Sequence, residues 1–339
     1  MPRRELVAGE DLYKYFTRGG VLGKKLLRAV DGVSVTLARG ESLGLVGESG
    51  SGKSTLGRLL LRLLEPTRGR VVFDGVEITS LPESRLRRLR RRMQLIPQDP
   101  YASFNPLLPL GEQLAEPLLV HGLAESEAAA RRRVVEALEE AGLSPGDEFY
   151  RRRPHQLSGG QLQRAAIIRA FLLEPDFVVA DEPTSSLDVS VRAGILRMIR
   201  DYKEKRGGAL LFITHDLATA RLVSDRIAVM YLGKIVEEGP ASRVLGAPFH
   251  PYTAALLTAI PRLRRRRPRL RVELRGDIPD PSQVPAGCRL HPRCPYATEL
   301  CRSREPPLRE LAPGHRAACH YPLGPQAGGA MEDSGAQPK

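Results

Sequence analysis

The sequence predicts an α/β fold built on a phosphate loop, with an inserted helical lobe and a small, irregular, cysteine-containing C-terminal appendage. Three observations carry this. GESGSGKST, Gly47 to Thr55, sits between a strand-like run and a helix-like one. Strand and helix patterns alternate on both sides of a mostly helical stretch between Pro100 and Phe171. All four cysteines fall between Cys288 and Cys319, where proline is frequent and periodicity fades.

Taken in order, AVDGVSVTLARGESLGLVGES reads as strand, turn, strand and glycine loop. KSTLGRLLLRLL, Lys53 to Leu64, reads as a helix stopped by Glu65-Pro66. GRVVFDGVEI gives short strands, and RLRRLRRRMQLIP a basic helix running into a strand at Met93 to Ile96. In the helical stretch ESEAAARRRVVEALEEAGL is the clearest element, with Gly142 as its stop. Alternation resumes with a strand at Phe177 to Ala180, a helix around Val189 to Lys205 and a strand at Ala209 to Thr214. A short helix and a strand pair, RIAVMYLGKIVEEG, follow. HPYTAALLTAIP, from His250, reads as a closing helix and LRRRRPRLR, Leu263 to Arg271, as a boundary. PLGPQAGGAMEDSGAQPK has the composition of a disordered tail. The expected division is residues 1–245, with the lobe at 100–172, then 246–322 and a tail at 323–339.

Charge narrows the partners. Lys and Arg number 52 against 39 Asp and Glu, a formal +13, which suits a nucleotide, a nucleic acid or an anionic membrane surface. No stretch approaches the ~20 uncharged apolar residues of a spanning helix. MPRRELVAGED has no apolar run behind its arginines, so it does not read as a secretory signal. The expected place is the cytoplasmic side, where clustered cysteines read better as ligands than as disulfides.

The phosphate loop fits G-x-x-x-x-G-K-S/T. Gly47, Gly50 and Gly52 let backbone N–H groups close on phosphate oxygens, with Ser49, Ser51 and Thr55 in the same wrap. Lys53 would reach the β- and γ-phosphates of ATP, and the Ser54 hydroxyl would ligate Mg²⁺. FVVADE is a buried strand ending in two acids: Asp181 suits the metal's water shell, and Glu182 could polarise the attacking water. LSGGQ at Leu157 to Gln161 opens a helix, Gln98 follows one strand, and His215 ends another. Each has a bland reading alone; together, in this order, they do not.

This set resembles the nucleotide-binding subunit of an ABC transporter across Leu6 to Gly239. The resemblance implies that Ser158, Gly159, Gly160 and Gln161 form the signature contacting ATP on a second subunit, as a homo- or heterodimer. It further implies that Asp188 lies in the D-loop and that Gln98 senses Mg²⁺ and the membrane partner. His215 would meet the γ-phosphate, and Phe16, with Tyr15 second, would stack on adenine. QDPYASFNP, HPYTAALLTAIP and the GC…RCP…C…CH tail are similar to ATPase subunits of oligopeptide and dipeptide importers, of the second-subunit type. That implies two multi-span permease subunits and an extracytoplasmic binding protein as partners, at the cytoplasmic face of the membrane, with no nucleic acid. Nickel complexes or sugars are the alternative solutes, and a soluble ABC ATPase acting on nucleic acid or ribosomes is the rival class. Pro97 and Leu107 depart from the family's usual Phe and Arg.

The cysteines read Cys288-x5-Cys294-x6-Cys301-x17-Cys319, and four thiolates satisfy either zinc or an iron-sulfur cluster. The importer resemblance implies a 4Fe-4S cluster. Arg289, Arg293 and Arg302 are expected to offset the charge of such a site. LRRRRPRLR is expected to meet an anionic membrane surface.

Overall fold

The computed structural model describes residues 4–20, 23–185, 187–258 and 272–324. The chain opens with a long hairpin, β1 (Glu5–Gly20) and β2 (Gly23–Ala38), followed by β3 (Ser42–Val46) and α1 (Lys53–Leu60). β4 (Arg68–Phe73), β5 (Val76–Glu77), α2 (Glu83–Arg90) and β6 (Met93–Ile96) lead into the helical lobe. The lobe holds α3 (Leu110–Val120), α4 (Glu127–Glu140), α5 (Gly146–Arg151) and α6 (Gly159–Phe171). Alternation returns with β7 (Phe177–Asp181), α7 (Val189–Arg206), β8 (Ala209–Thr214), α8 (Leu217–Val223), β9 (Arg226–Tyr231) and β10 (Lys234–Pro240). After them come α9 (Ala241–Gly246), α10 (Pro251–Thr258), α11 (Glu299–Ser303), β11 (Arg309–Ala312) and β12 (His315–Ala317).

Two sheets form. One has the order β2-β1-β4-β5, and the other β11-β12-β10-β9-β3-β8-β7-β6. The run β9-β3-β8-β7-β6 is parallel, and its central strands β3, β7 and β8 are buried at every residue. Uniform burial explains why their sequences are continuous apolar runs without alternation. α1 fills the space between the sheets: Leu56, Leu59 and Leu60 join Leu12, Val33, Phe73 and Leu211 in one core. The lobe has its own core, built on Leu110, Leu114 and Leu118 of α3, Val134 and Leu138 of α4, and Leu162 of α6. α4 starts where Ser126 accepts from the Ala129 N–H at 3.2 Å, and Gly142, at φ +73°, lies just beyond its end.

One local expectation needs correction. α1 ends at Leu60, not Leu64, because Arg62 turns to φ +53° and Arg90 donates to the Leu61 and Arg62 carbonyls at 2.6 and 3.0 Å. Beyond residue 245, β12 pairs antiparallel with β10 and extends the central sheet. LRRRRPRLR and the tail from residue 325 lie outside the described residues.

The seam between that region and the sheet is polar and buried. Glu237, fully buried, accepts from the Phe249 and His250 N–H groups at 2.7 and 3.0 Å and lies 2.8 Å from His315 Nε2. Next to it, burial pulls the imidazole of His250 down to about 4, despite the attraction of Glu237. Its folded-state value is thus below the ~6.5 of an unfolded histidine, so its contribution is complete above pH 6.5 and lost as pH falls towards 4. Thermal unfolding across that window should show up to about 3 kcal/mol of destabilisation in wild type that is missing from His250→Gln. Parallel curves for the two proteins would show that this imidazole does not titrate as described.

Candidate functional site

The phosphate loop connects β3 to α1 and is pressed against backbone on two sides. A Cβ on Gly47 would meet the Met230 carbonyl oxygen at 2.1 Å, and one on Gly52 the Ala29 oxygen at 2.0 Å. Gly52 also holds φ +104° as the cap of α1, so no other residue fits there. Lys53 is therefore the first residue of the helix, with Nζ donating to the Gly47 and Glu48 carbonyls at 2.8 and 2.9 Å. Burial lowers its ammonium below the usual lysine range, and Glu182 Oε1, 4.0 Å away, partly opposes that.

β7 delivers the acids. Asp181 Oδ1 accepts from Ser54 Oγ at 2.7 Å, and burial holds the Asp181 carboxyl above the usual carboxylate range. Glu182 stands at φ +45°, a conformation that costs a non-glycine residue and turns its side chain off the strand line. Its Oε2 lies 3.1 Å from His215 Nδ1, at the end of β8. Lysine, glutamate and histidine thus converge, although 53, 182 and 215 are far apart in the chain.

These groups share one cleft of about 820 Å³. Its lining includes Phe16, Ser49, Gly50, Gly52, Lys53, Ser54, Thr55, Gln98, Glu182 and His215. Asp181 lies behind Ser54, and Gly47 and Ser51 lie in the loop itself. Tyr15 faces elsewhere, its hydroxyl donating to Asp31. Pro97 lacks an N–H, but its carbonyl accepts from Gln163 of α6 at 3.2 Å, which ties the start of the Gln98 loop to the helical lobe.

Ser158, Gly159, Gly160, Gln161 and Asp188 are not among the residues lining that cleft. Ser158 caps α6: its Oγ accepts from the Gln161 N–H at 3.3 Å, while Gln161 Oε1 accepts from the Ser158 N–H at 3.0 Å. Asp188 is the exposed N-cap of α7. The capped glycine pair is therefore not part of the cleft that holds the phosphate loop.

Some cleft residues were not anticipated. Leu256, Ile278 and Pro281, all beyond residue 245, line the same cleft. Glu48 is held by Tyr252 and by Arg293, again from beyond residue 245. The only sequence signal was the wording of HPY and RCP, which marks family likeness and carries no spacing that points to the loop.

Cys288, Cys294, Cys301 and Cys319 all line one cavity of about 20 Å³, with His250, His291 and His320 beside them. Burial pushes the Cys288 thiol up to about 11 and the Cys319 thiol up to about 12, and neighbouring thiols add to both. Among the described residues no group of three or more His, Cys, Asp or Glu is arranged to hold a metal ion. The expected charge offset by arginine is also corrected. Arg289 donates to Asp31 and the Leu232 carbonyl, Arg293 is taken by Glu48, and Arg302 lies 3.8 Å from Glu299 on the surface. Each guanidinium already has a carboxylate partner elsewhere.

Comparison with known proteins agrees with this geometry. Residues 30–185 match the family described as ABC transporter, and residues 236–301 that described as oligopeptide/dipeptide transporter, C-terminal region. The di/tripeptide transport ATP-binding protein DppF of Pseudomonas aeruginosa is 44% identical over 93% of this chain and 97% of its own length. The oligopeptide transport ATP-binding protein AppF of Bacillus subtilis is 43% identical over 91% of this chain and 95% of its own. The dimeric post-hydrolysis structure of the ATP-binding cassette MJ0796 with ADP and Pi superimposes with a TM-score of 0.64 at 31% identity. It covers 70% of this chain and 99% of that one. The chain therefore belongs to the ABC transporter family of ATP-binding subunits, with the C-terminal region of oligopeptide and dipeptide transporters, and it is an ABC-type ATPase.

Proposed function

We propose that this ATPase is the energy-coupling subunit of a di- or oligopeptide importer. The observation that carries this is the combination of a cleft that gathers Lys53, Ser54, Glu182 and His215 with the C-terminal region named for that transporter class. The names of the 44% and 43% identical relatives point the same way. The ATPase unit is residues 1–245, with its helical lobe near 100–172, and residues 246–322 form the transporter-type region. No helix among the described residues is long and apolar enough to cross a membrane. Work on a solute then passes through two membrane permease subunits, at the cytoplasmic face and downstream of an extracytoplasmic binding protein. Tyr101, Leu107, Leu108 and Val120 expose apolar side chains on the helical lobe and offer a surface for that contact.

In the catalytic reading Lys53 engages the β- and γ-phosphates of ATP from the loop. Glu182 takes the proton of the attacking water, and His215, hydrogen-bonded to Glu182, holds the γ-phosphate side of the cleft. Phe16, exposed at the cleft edge, supplies a face for adenine. The hard oxygens of Ser54 and Asp181, already 2.7 Å apart, with Gln98 on the cleft wall, suit Mg²⁺. When bound, that ion would neutralise phosphate charge. Because the glycine pair lies off the cleft, two subunits arranged head to tail would complete each other's sites. Ser158 to Gln161 and Asp188 of one would then meet ATP held by the other, whether a copy or a related chain.

The reading of Cys288, Cys294, Cys301 and Cys319 as ligands of an iron-sulfur cluster rests on the donor set alone, four soft thiols facing one cavity. Zinc is the alternative. The Cys288 and Cys319 thiols, held neutral by burial, would have to lose their protons on binding either metal.

Glu182→Gln should cut ATP turnover by about 10²-fold or more while leaving ATP affinity near wild type, and it should stabilise an ATP-bound dimer in size-exclusion chromatography. Lys53→Ala should instead lose ATP binding itself. Wild-type turnover by Glu182→Gln would remove Glu182 from the role of base. Copurification with multi-span membrane subunits, and ATPase stimulation by peptides in the reconstituted assembly, test the importer assignment. For the thiols, anaerobically purified protein should contain iron and absorb broadly in the visible; colourless protein with four titratable thiols and no metal would end the cluster reading.

A further inference from the structure

Glu48, the second residue of the phosphate loop, is gripped twice by chain from beyond residue 245. Its backbone N–H donates to the Tyr252 hydroxyl at 2.8 Å. Its carboxylate accepts two bonds from the Arg293 guanidinium, at 2.7 and 3.1 Å. Its carbonyl, on the other side, accepts from Lys53 Nζ at 2.9 Å. A continuous polar series therefore runs from the cysteine-bearing region through Glu48 to the lysine of the loop. Arg293 is only 7% exposed and lies over the Tyr231 ring, 5.8 Å from its centroid, while Tyr231 packs on Tyr252 at 4.7 Å. A fork of two parallel bonds fixes direction as well as distance, which a single ammonium cannot do. A partly buried pair of this kind gains little net stability after desolvation and screening, so its main contribution is placement.

We infer that Arg293 is a positioning residue for nucleotide binding: it sets the phosphate loop through the Glu48 carboxylate, while Tyr252 steadies the backbone of the same residue. The region that supplies Arg293 also supplies Ile278 and Pro281 to the cleft wall, so it both holds the loop and lines the cleft. The inference rests on the nucleotide-site reading given above.

The test uses the full chain and calorimetric titration with a non-hydrolysable ATP analogue in Mg²⁺ buffer. Arg293→Gln should raise the dissociation constant about tenfold. Arg293→Lys, with charge but no fork, should recover part of that loss. Glu48→Gln should weaken binding in the same direction, and the double variant should be no worse than the poorer single one. A merely structural staple would lower the melting temperature and the binding stoichiometry but leave the dissociation constant of the folded fraction within about twofold, and that result overturns the inference. If Arg293→Gln does not fold, Glu48→Gln alone decides, since it removes the contact from the loop side. Failure of the wild-type chain to bind the analogue would count against the nucleotide-site reading instead, which keeps the two failures distinct.

Discussion

The structure depends on a steric constraint at the phosphate loop. Two glycines lie so close to the Met230 and Ala29 carbonyls that any side chain would collide with backbone. This contact locks the loop to β9 and β2 and fixes where α1 begins. From that start the position of Lys53, the reach of Ser54 to Asp181 and the approach of Glu182 follow with little freedom. Burial of β3, β7 and β8 on both faces then keeps the loop and the acids in register.

Much of this was legible in the sequence because the chemistry dictates residue type locally. A glycine loop before Lys53, an acid pair at the end of FVVADE and a capped LSGGQ helix are each contained in a few consecutive residues. Central strands announce themselves as apolar runs, and Met93–Ile96 and Ala209–Thr214 fall where the pattern put them. Of the first hairpin only the end of β2, in AVDGVSVTLA, was legible; β1 was not, because it pairs with β2 through several register shifts, and such bulges break the alternation that marks a strand. β11 and β12 are too short, at four and three residues, to show any period.

The arginines of the cysteine region show a different limit. Arg289 and Arg293 stand beside cysteines in sequence, which suggested that they balance thiolate charge. In the fold they turn away to Asp31 and Glu48, 258 and 245 residues upstream. Such long-range ion pairs leave no local trace, so spacing can identify the thiol set but not what its neighbours do. The same holds for His250 and Tyr252, whose contacts with Glu237 and Glu48 make the HPY segment a link between the sheet seam and the loop.

The pairing of β12 with β10 also bears on the order in which the molecule can be made. Strands β3, β8 and β9 can associate as soon as residue 231 has left the ribosome, but β10 remains the sheet's open margin until His315–Ala317 emerges. Glu237 on that margin has both carboxylate oxygens taken by the Phe249 and His250 N–H groups, and His315 adds a second partner to Oε1 when it arrives. Synthesis therefore passes through a stage in which the catalytic half is largely assembled while β10 is still exposed to wrong pairing, and β12, the last strand among the described residues, covers it.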